Sequence, residues 1–124
     1  MHVLHNMVKA VRPGGTVLDL QVIRPNPRVE VAERFVCEVD GSPLFRKADA
    51  ATAAIDSLIA AGRLIEEAID DHDVRTQFPN GTELVADFGP KERRLPEHAI
   101  PELLAIEQPC VIRETCRLRR LVVR

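Results

Sequence analysis

The apolar and polar positions change period several times along the chain, and each change marks an element. Leu4, Met7, Val8 and Val11 fall at i, i+3, i+4 and i+7, the spacing of one buried helical face. Arg12-Pro13-Gly14-Gly15 stops that helix, because the residue before proline disfavours helical geometry and the glycines accept a tight turn. Thr16–Ile23 is short, rich in β-branched residues and nearly continuously apolar, which predicts a strand covered on both faces. Arg24-Pro25-Asn26-Pro27 is expected to end it. Val29–Val39 alternates unevenly and closes on Asp40-Gly41, the pattern of a short hairpin or extended excursion. Asp49 is the candidate N-cap of an Ala-rich helix over Ala50–Ala61, with Ala51, Ile55, Leu58 and Ile59 on one face and Gly62 as its stop.

A second strand is predicted from Arg63 to Phe78, where His72, Val74, Thr76 and Phe78 share a face and a slip near Ile69–Asp71 predicts a bulge. Pro79-Asn80-Gly81 reads as a turn, and Thr82–Phe88 and Pro96–Ile106 as short helices. The last segment, Cys110–Val123, places Ile112, Cys116, Leu118 and Val122 on one face and Arg113, Thr115, Arg117 and Arg119 on the other. No repeat or linker divides the sequence, and its 124 residues suit one domain with a core of its own.

Charge narrows the partners. With 17 basic and 19 acidic residues the net charge is -2, which gives no long-range reason to seek nucleic acid or an anionic membrane. The longest apolar runs, Leu58–Ala61 and Leu103–Ile106, are far short of the ~18–20 residues a bilayer crossing needs. Met1–Ala10 lacks the apolar stretch of a secretory leader. Three cysteines without close metal-type spacing, Cys37, Cys110 and Cys116, suit buried thiols in a reducing compartment, so the expected location is cytoplasmic. There is no Trp or Tyr and there are only four Phe, little material for stacking bases.

Candidate chemistry is sparse. Asp70-Asp71-His72-Asp73 contains metal-ligand types, but adjacent strand residues point to opposite faces, and a solvated acidic stretch accounts for it better. His2 and His5 at i, i+3 are an equally weak pair. Cys110 and Cys116 lie too far apart along one strand to bridge, and no metal ligand or catalytic residue is assigned. The arginines of the last strand are expected to pair across the sheet with Glu66, Glu67 and the Asp70–Asp73 carboxylates.

The run from Leu4 through Lys9-Ala10-Val11-Arg12-Pro13-Gly14-Gly15 into Thr16-Val17-Leu18-Asp19 resembles a segment of class I S-adenosylmethionine-dependent methyltransferases. In that family a helix ending in Leu-Lys/Arg-Pro-Gly-Gly feeds the fifth sheet strand; Val11 stands here where the family usually has Leu. The resemblance implies an α/β fold, part of a Rossmann-like methyltransferase sheet in the order 5-7-6, with the last strand antiparallel and helices flanking it. None of the six glycines forms the glycine-rich turn such a fold uses for its cofactor. What is implied is therefore the C-terminal, substrate-side portion, inactive alone, with S-adenosylmethionine held by a half preceding Met1 and no cofactor bound by this chain. The first helix, which no capping residue precedes, agrees with a chain cut from something longer.

In open α/β sheets ligands lie beyond the carboxyl ends of the parallel strands, which makes Gln21, Arg24 and Asn26 the candidate contacts to a small-molecule methyl acceptor. Methyl transfer in the family often rests on proximity and orientation, so no acid or base is named. The fourth strand of the family sheet is not in this sequence. Thr16–Ile23 is then expected to expose an edge and pair with its own copy in a homodimer. The alternative reading is a non-catalytic, self-associating α/β module.

Overall fold

Cys110–Val123 alternates strictly in burial at both of its ends, and the rest of the fold is arranged about it. The computed structural model describes residues 10–88 and 93–124. In chain order these form β1 (Thr16–Val31), β2 (Arg34–Glu38), α1 (Ser42–Ala60), β3 (Leu64–Phe78), α2 (Gly81–Asp87), a 3₁₀ turn (Glu97–Ala99), α3 (Ile100–Leu104) and β4 (Cys110–Val123). The strands make one open sheet in the order β2-β1-β4-β3, and each neighbouring pair is antiparallel. Since β4 is antiparallel to both β1 and β3, those two run parallel to each other. The fold is thus a mixed α/β arrangement in which the last strand is inserted between the first and third. The helix expected over Leu4–Val11 lies largely outside the described residues. No helix among the described residues is long and apolar enough to cross a membrane.

The sheet has two cores on opposite faces, at opposite ends. At one end α1 lays Ile55 and Leu58 on Val17, Leu64, Leu121 and Val123. At the other, α2 and α3 bring Leu84 and Leu103 onto Val29, Val31, Cys110 and Ile112 on the reverse face. Odd-numbered β4 residues serve the first core and even-numbered ones the second, as the period-two reading of this strand requires.

The expectation that Thr16–Ile23 is covered on both faces is corrected by this arrangement. Val17 is buried under α1, but Leu18 and Leu20 are 61% and 60% exposed, because the other described helices, α2 and α3, sit at the far end of the sheet. Nor does Arg24-Pro25-Asn26-Pro27 end the strand. The chain loops out of register with β4 between Ile23 and Arg28 and then resumes the ladder, so prolines that have no N–H to donate fall where none is needed. The hairpin expected within Val29–Val39 is present: it turns at Ala32-Glu33, both with positive φ (50° and 64°), and Asp40-Gly41 follows it as the lead into the next helix. In β3 the bulge lies between Glu66 and Ala68, nearer the strand start than Ile69–Asp71.

Helix α1 begins seven residues before Asp49, at Ser42. Pro43 suits the first turn, and Asp40 Oδ1 accepts from the Ser42 backbone N–H at 3.0 Å and from its hydroxyl at 2.6 Å. Asn80 caps α2 by accepting from Glu83 N–H at 2.9 Å.

Two glycines are fixed by geometry. Gly14 has φ +84° and donates to Val123 O at 2.7 Å, which joins the turn to the end of β4. A Cβ on Gly81 would lie 1.6 Å from Leu103 O, where α2 meets α3. Gly14→Val is therefore expected to cost more than ~1 kcal/mol through backbone strain. Gly81→Ala should cost about 1–3 kcal/mol by forcing the two helices apart. Denaturant melts of each variant against the parent chain check both, and an unchanged midpoint for either would contradict the turn or the helix contact described.

Candidate substrate crevice

Where β1 loops out of register, the chain must satisfy its backbone elsewhere, and it does so against the segment leading into α1. Pro27 O accepts from Val39 N–H at 2.8 Å, and Asn26 Oδ1 accepts from Gly41 N–H at 3.2 Å. The start of α1 is thereby held beside Arg24-Pro25-Asn26. Between them opens a cavity of about 640 Å³ lined by Arg24, Pro25, Asn26, Ser42, Phe45 and Arg46. A second cavity, about 280 Å³, shares Arg24 and Phe45 and runs between the sheet and α1 past Asp49, Thr52 and Arg117. A third, about 330 Å³, shares Asn26 and reaches Asp40 and Arg94.

The three sequence candidates fare differently. Arg24 stands between the first two cavities, donating to both carboxylate oxygens of Asp49 at 3.0 Å with its guanidinium 5.2 Å from the Phe45 ring centre. Asn26 lines the crevice too, though its carbonyl oxygen is used to hold Gly41. Gln21 is not among the lining residues; its Nε2 donates to Asp19 Oδ1 at 2.8 Å along its own strand. Phe45, Arg46 and Asp49 were missed as site residues because the helix was expected to start after them. Ser42-Pro43 was the available signal.

The electrostatics are those of paired charges. The hydrogen-bonded Asp49 carboxylate raises the Arg24 pKa, and Arg24 in turn lowers that of Asp49. Asp40 is lowered by its hydrogen bonds from Ser42, and Asp71 by the bidentate bond from Arg117 at 2.8 and 2.9 Å. Such walls can hold and orient a polar small molecule.

The other candidates resolve into structure. Asp71 is bound to Arg117, Asp73 accepts from Thr115 Oγ1 at 3.3 Å, and Asp70 lies 3.0 Å from His72 Nδ1. No group of three or more metal-ligating side chains occurs among the described residues. His2 and His5 lie outside them. All three cysteines are free and buried, and burial pushes their thiols up, away from the reactive thiolate.

No family model, curated protein or solved structure matches this chain.

The lowered carboxylates set a sign for pH dependence. Asp49 and Asp71 titrate lower in the folded chain than unfolded Asp, near ~3.9, so their contribution is present above that range and is lost as pH falls through the folded values. The Asp49→Asn, Asp71→Asn double variant is expected to lose less stability than the parent between neutral and acidic pH. Parallel slopes in thermal melts across that range would contradict the pairing.

Proposed function

We propose that this chain is the substrate-side portion of a class I S-adenosylmethionine-dependent methyltransferase, contributing sheet and acceptor-binding surface to a site whose cofactor half is a separate stretch of protein. The observation that carries the reading is the strand arrangement. β1 and β3 are parallel, α1 connects them, and β4 lies antiparallel between them, the placement that the order 5-7-6 describes. The Pro13-Gly14-Gly15 turn feeding β1 agrees with it, as does the outer edge of Thr16–Ile23. β2 pairs only with Arg28–Val31, so no described strand occupies the side of Thr16–Ile23 where the family places its fourth strand. Arg24 and Asn26 at the crevice mouth would contact a small-molecule acceptor. Catalysis would rest on orientation of acceptor against cofactor.

The test compares the 124-residue chain with the same chain extended through the preceding in-frame coding sequence, each titrated calorimetrically with S-adenosylhomocysteine. The expected result is no saturable heat for the chain alone and saturable binding for the extended one. Saturable micromolar binding by the chain alone, or none by an extended chain that carries a strand and glycine-rich turn, would overturn the reading.

One observation favours a second reading, a self-associating α/β module. The same open edge carries Leu18 and Leu20, with Ile65 exposed two strands away on the same face, and no Lys or Pro blunts it. A two-fold pairing of Thr16–Ile23 with its own copy closes the edge. Light scattering is then expected to give twice the chain mass, and Leu18→Lys with Leu20→Lys to give monomer or aggregate. A monomeric parent chain excludes this second reading. A dimer of the short chain that becomes monomeric on extension favours the first.

A further inference from the structure

Cross-strand neighbours on the sheet mostly carry opposite charge, with one exception. Arg117 faces Asp71, and Arg119 and Arg120 reach Glu66 and Glu67. Arg113, however, stands directly opposite Arg28 on β1 and directly opposite Arg75 on β3. Three arginines thus form one row across three adjacent strands, on the sheet face that carries α1. Like charges placed opposite one another destabilise a sheet, so the row is a cost to folding.

The local partners do not remove that cost. Glu30 is the acid nearest Arg113, at 3.6 Å from its Nε, and that Nε is buried without a hydrogen-bond acceptor. Arg28 stacks on Phe35, its guanidinium 4.8 Å from the ring centre. Glu38 faces Arg28 in the β1–β2 register, and Asp73 stands next along β3 from Arg75 on the same face but accepts from Thr115. Arg75 is exposed, and no ion pair among the described residues includes it.

Position adds a second argument. Arg28 lies in the last part of β1 and Arg75 in the last part of β3, toward the carboxyl ends of the two parallel strands, which is where open α/β sheets present their ligands. α1 lies on the same face over Val17, Leu121 and Val123 and reaches as far as Arg24 and Arg117, and Arg28 and Arg75 remain exposed beyond it.

We propose that the row Arg28–Arg113–Arg75 binds a phosphate-bearing small molecule, its guanidinium forks converging on the oxygens of adjacent phosphoryl groups. Guanidinium forks match phosphate oxygens two at a time, and neighbouring strands about 4.8 Å apart set three of them along a row about 10 Å long. An array of this length suits a chain of phosphoryl groups better than a single one. A nucleic acid strand is the less favoured occupant, because Phe35 is the one exposed aromatic ring beside the row and its face is already taken by Arg28. The site stands on the sheet geometry and does not require the methyltransferase reading; if that reading holds, the row names the acceptor class as phosphorylated.

The probe is inorganic tripolyphosphate, titrated calorimetrically and by thermal shift at near-physiological salt, where diffuse surface attraction is screened. The expected result is saturable binding that raises the melting temperature. Arg75→Gln should weaken it about tenfold, the loss of one charge-assisted contact, while raising the melting temperature of the unliganded chain by relieving repulsion. Arg113→Lys, which keeps the charge beside Glu30 and removes the fork, should also weaken binding. Arg120→Gln, on the opposite face, should leave it unchanged. Absence of saturable binding, equal weakening by Arg120→Gln, or unchanged affinity in Arg75→Gln would overturn the proposal. So would an oligothymidylate that binds more tightly than tripolyphosphate and is not displaced by it.

Discussion

The alternation of β4 between two cores is the constraint on which the remaining structure depends. Leu121 and Val123 are held under α1, while Cys110 and Ile112 are held under α2 and α3 on the reverse face. A sheet with one covered face can slip by two residues and keep its apolar side inward. Here a slip of any size drives at least one core apart, since side-chain direction has period two and the two cores lie at fixed ends. Register against both β1 and β3 is therefore set by packing before any polar contact is counted.

Buried charge then sharpens the same choice. Arg119 lies under α1, with its Nε donating to Glu66 at 2.6 Å and a terminal amino group donating to Asp56 of α1 at 3.1 Å. Glu114, on the other face, is paired with Arg93 at the margin of the second core. Arg119 follows Leu121 and Val123 along its face of β4, and Glu114 follows Cys110 and Ile112 along the other, so each adjoins the apolar residues of its core. Exposed pairs such as Arg120–Glu67 contribute little, but removing one partner of a desolvated pair leaves an uncompensated charge. A mispaired β4 would leave Arg119 and Glu114 in that state together.

Much of this was legible from period alone. The alternation along β4, the α1 contact residues Ala51, Ile55 and Leu58, and the short helix before Phe88 follow from spacing, because burial enforces spacing; that the face of Arg113, Arg117 and Arg119 also carries a core, through Leu121 and Val123, does not. The path through Pro25 and Pro27 was not legible: a proline forbids a ladder donor but is silent on whether the chain ends its strand or loops out and returns, and the return depends on Val39 and Gly41 arriving to bond the loop. The early start of α1 was obscured by Asp49, a residue with cap chemistry whose carboxylate is instead held by Arg24 from a distant strand. In the crevice, Arg24 and Asn26 were found by their place at a strand end, while Phe45 and Arg46 depend on where α1 docks. The arginine row could not be seen without register: Arg113 stands out only as one of the last strand's arginines, and Arg28 and Arg75 are far from it in sequence.

Covering the sheet diagonally leaves two open quadrants of opposite chemistry. One is apolar, with Leu18, Leu20 and Ile65 at the α1 end of the face α1 does not touch. The other is the arginine row, at the far end of the face α1 does touch. The first is unfavourable in water and adjoins a backbone edge, so its natural complement is another stretch of polypeptide. The second is unfavourable within the fold itself and is relieved by counter-charge, which an anion of modest size supplies. Because the quadrants lie on opposite faces and at opposite ends, filling one does not obstruct the other. A two-fold axis normal to the sheet, the operation that pairs β1 edges antiparallel, keeps α1 of both copies on one side. Both arginine rows would then open on that side and both leucine patches on the reverse, and a fourth strand supplied by a cofactor half would leave the rows equally free.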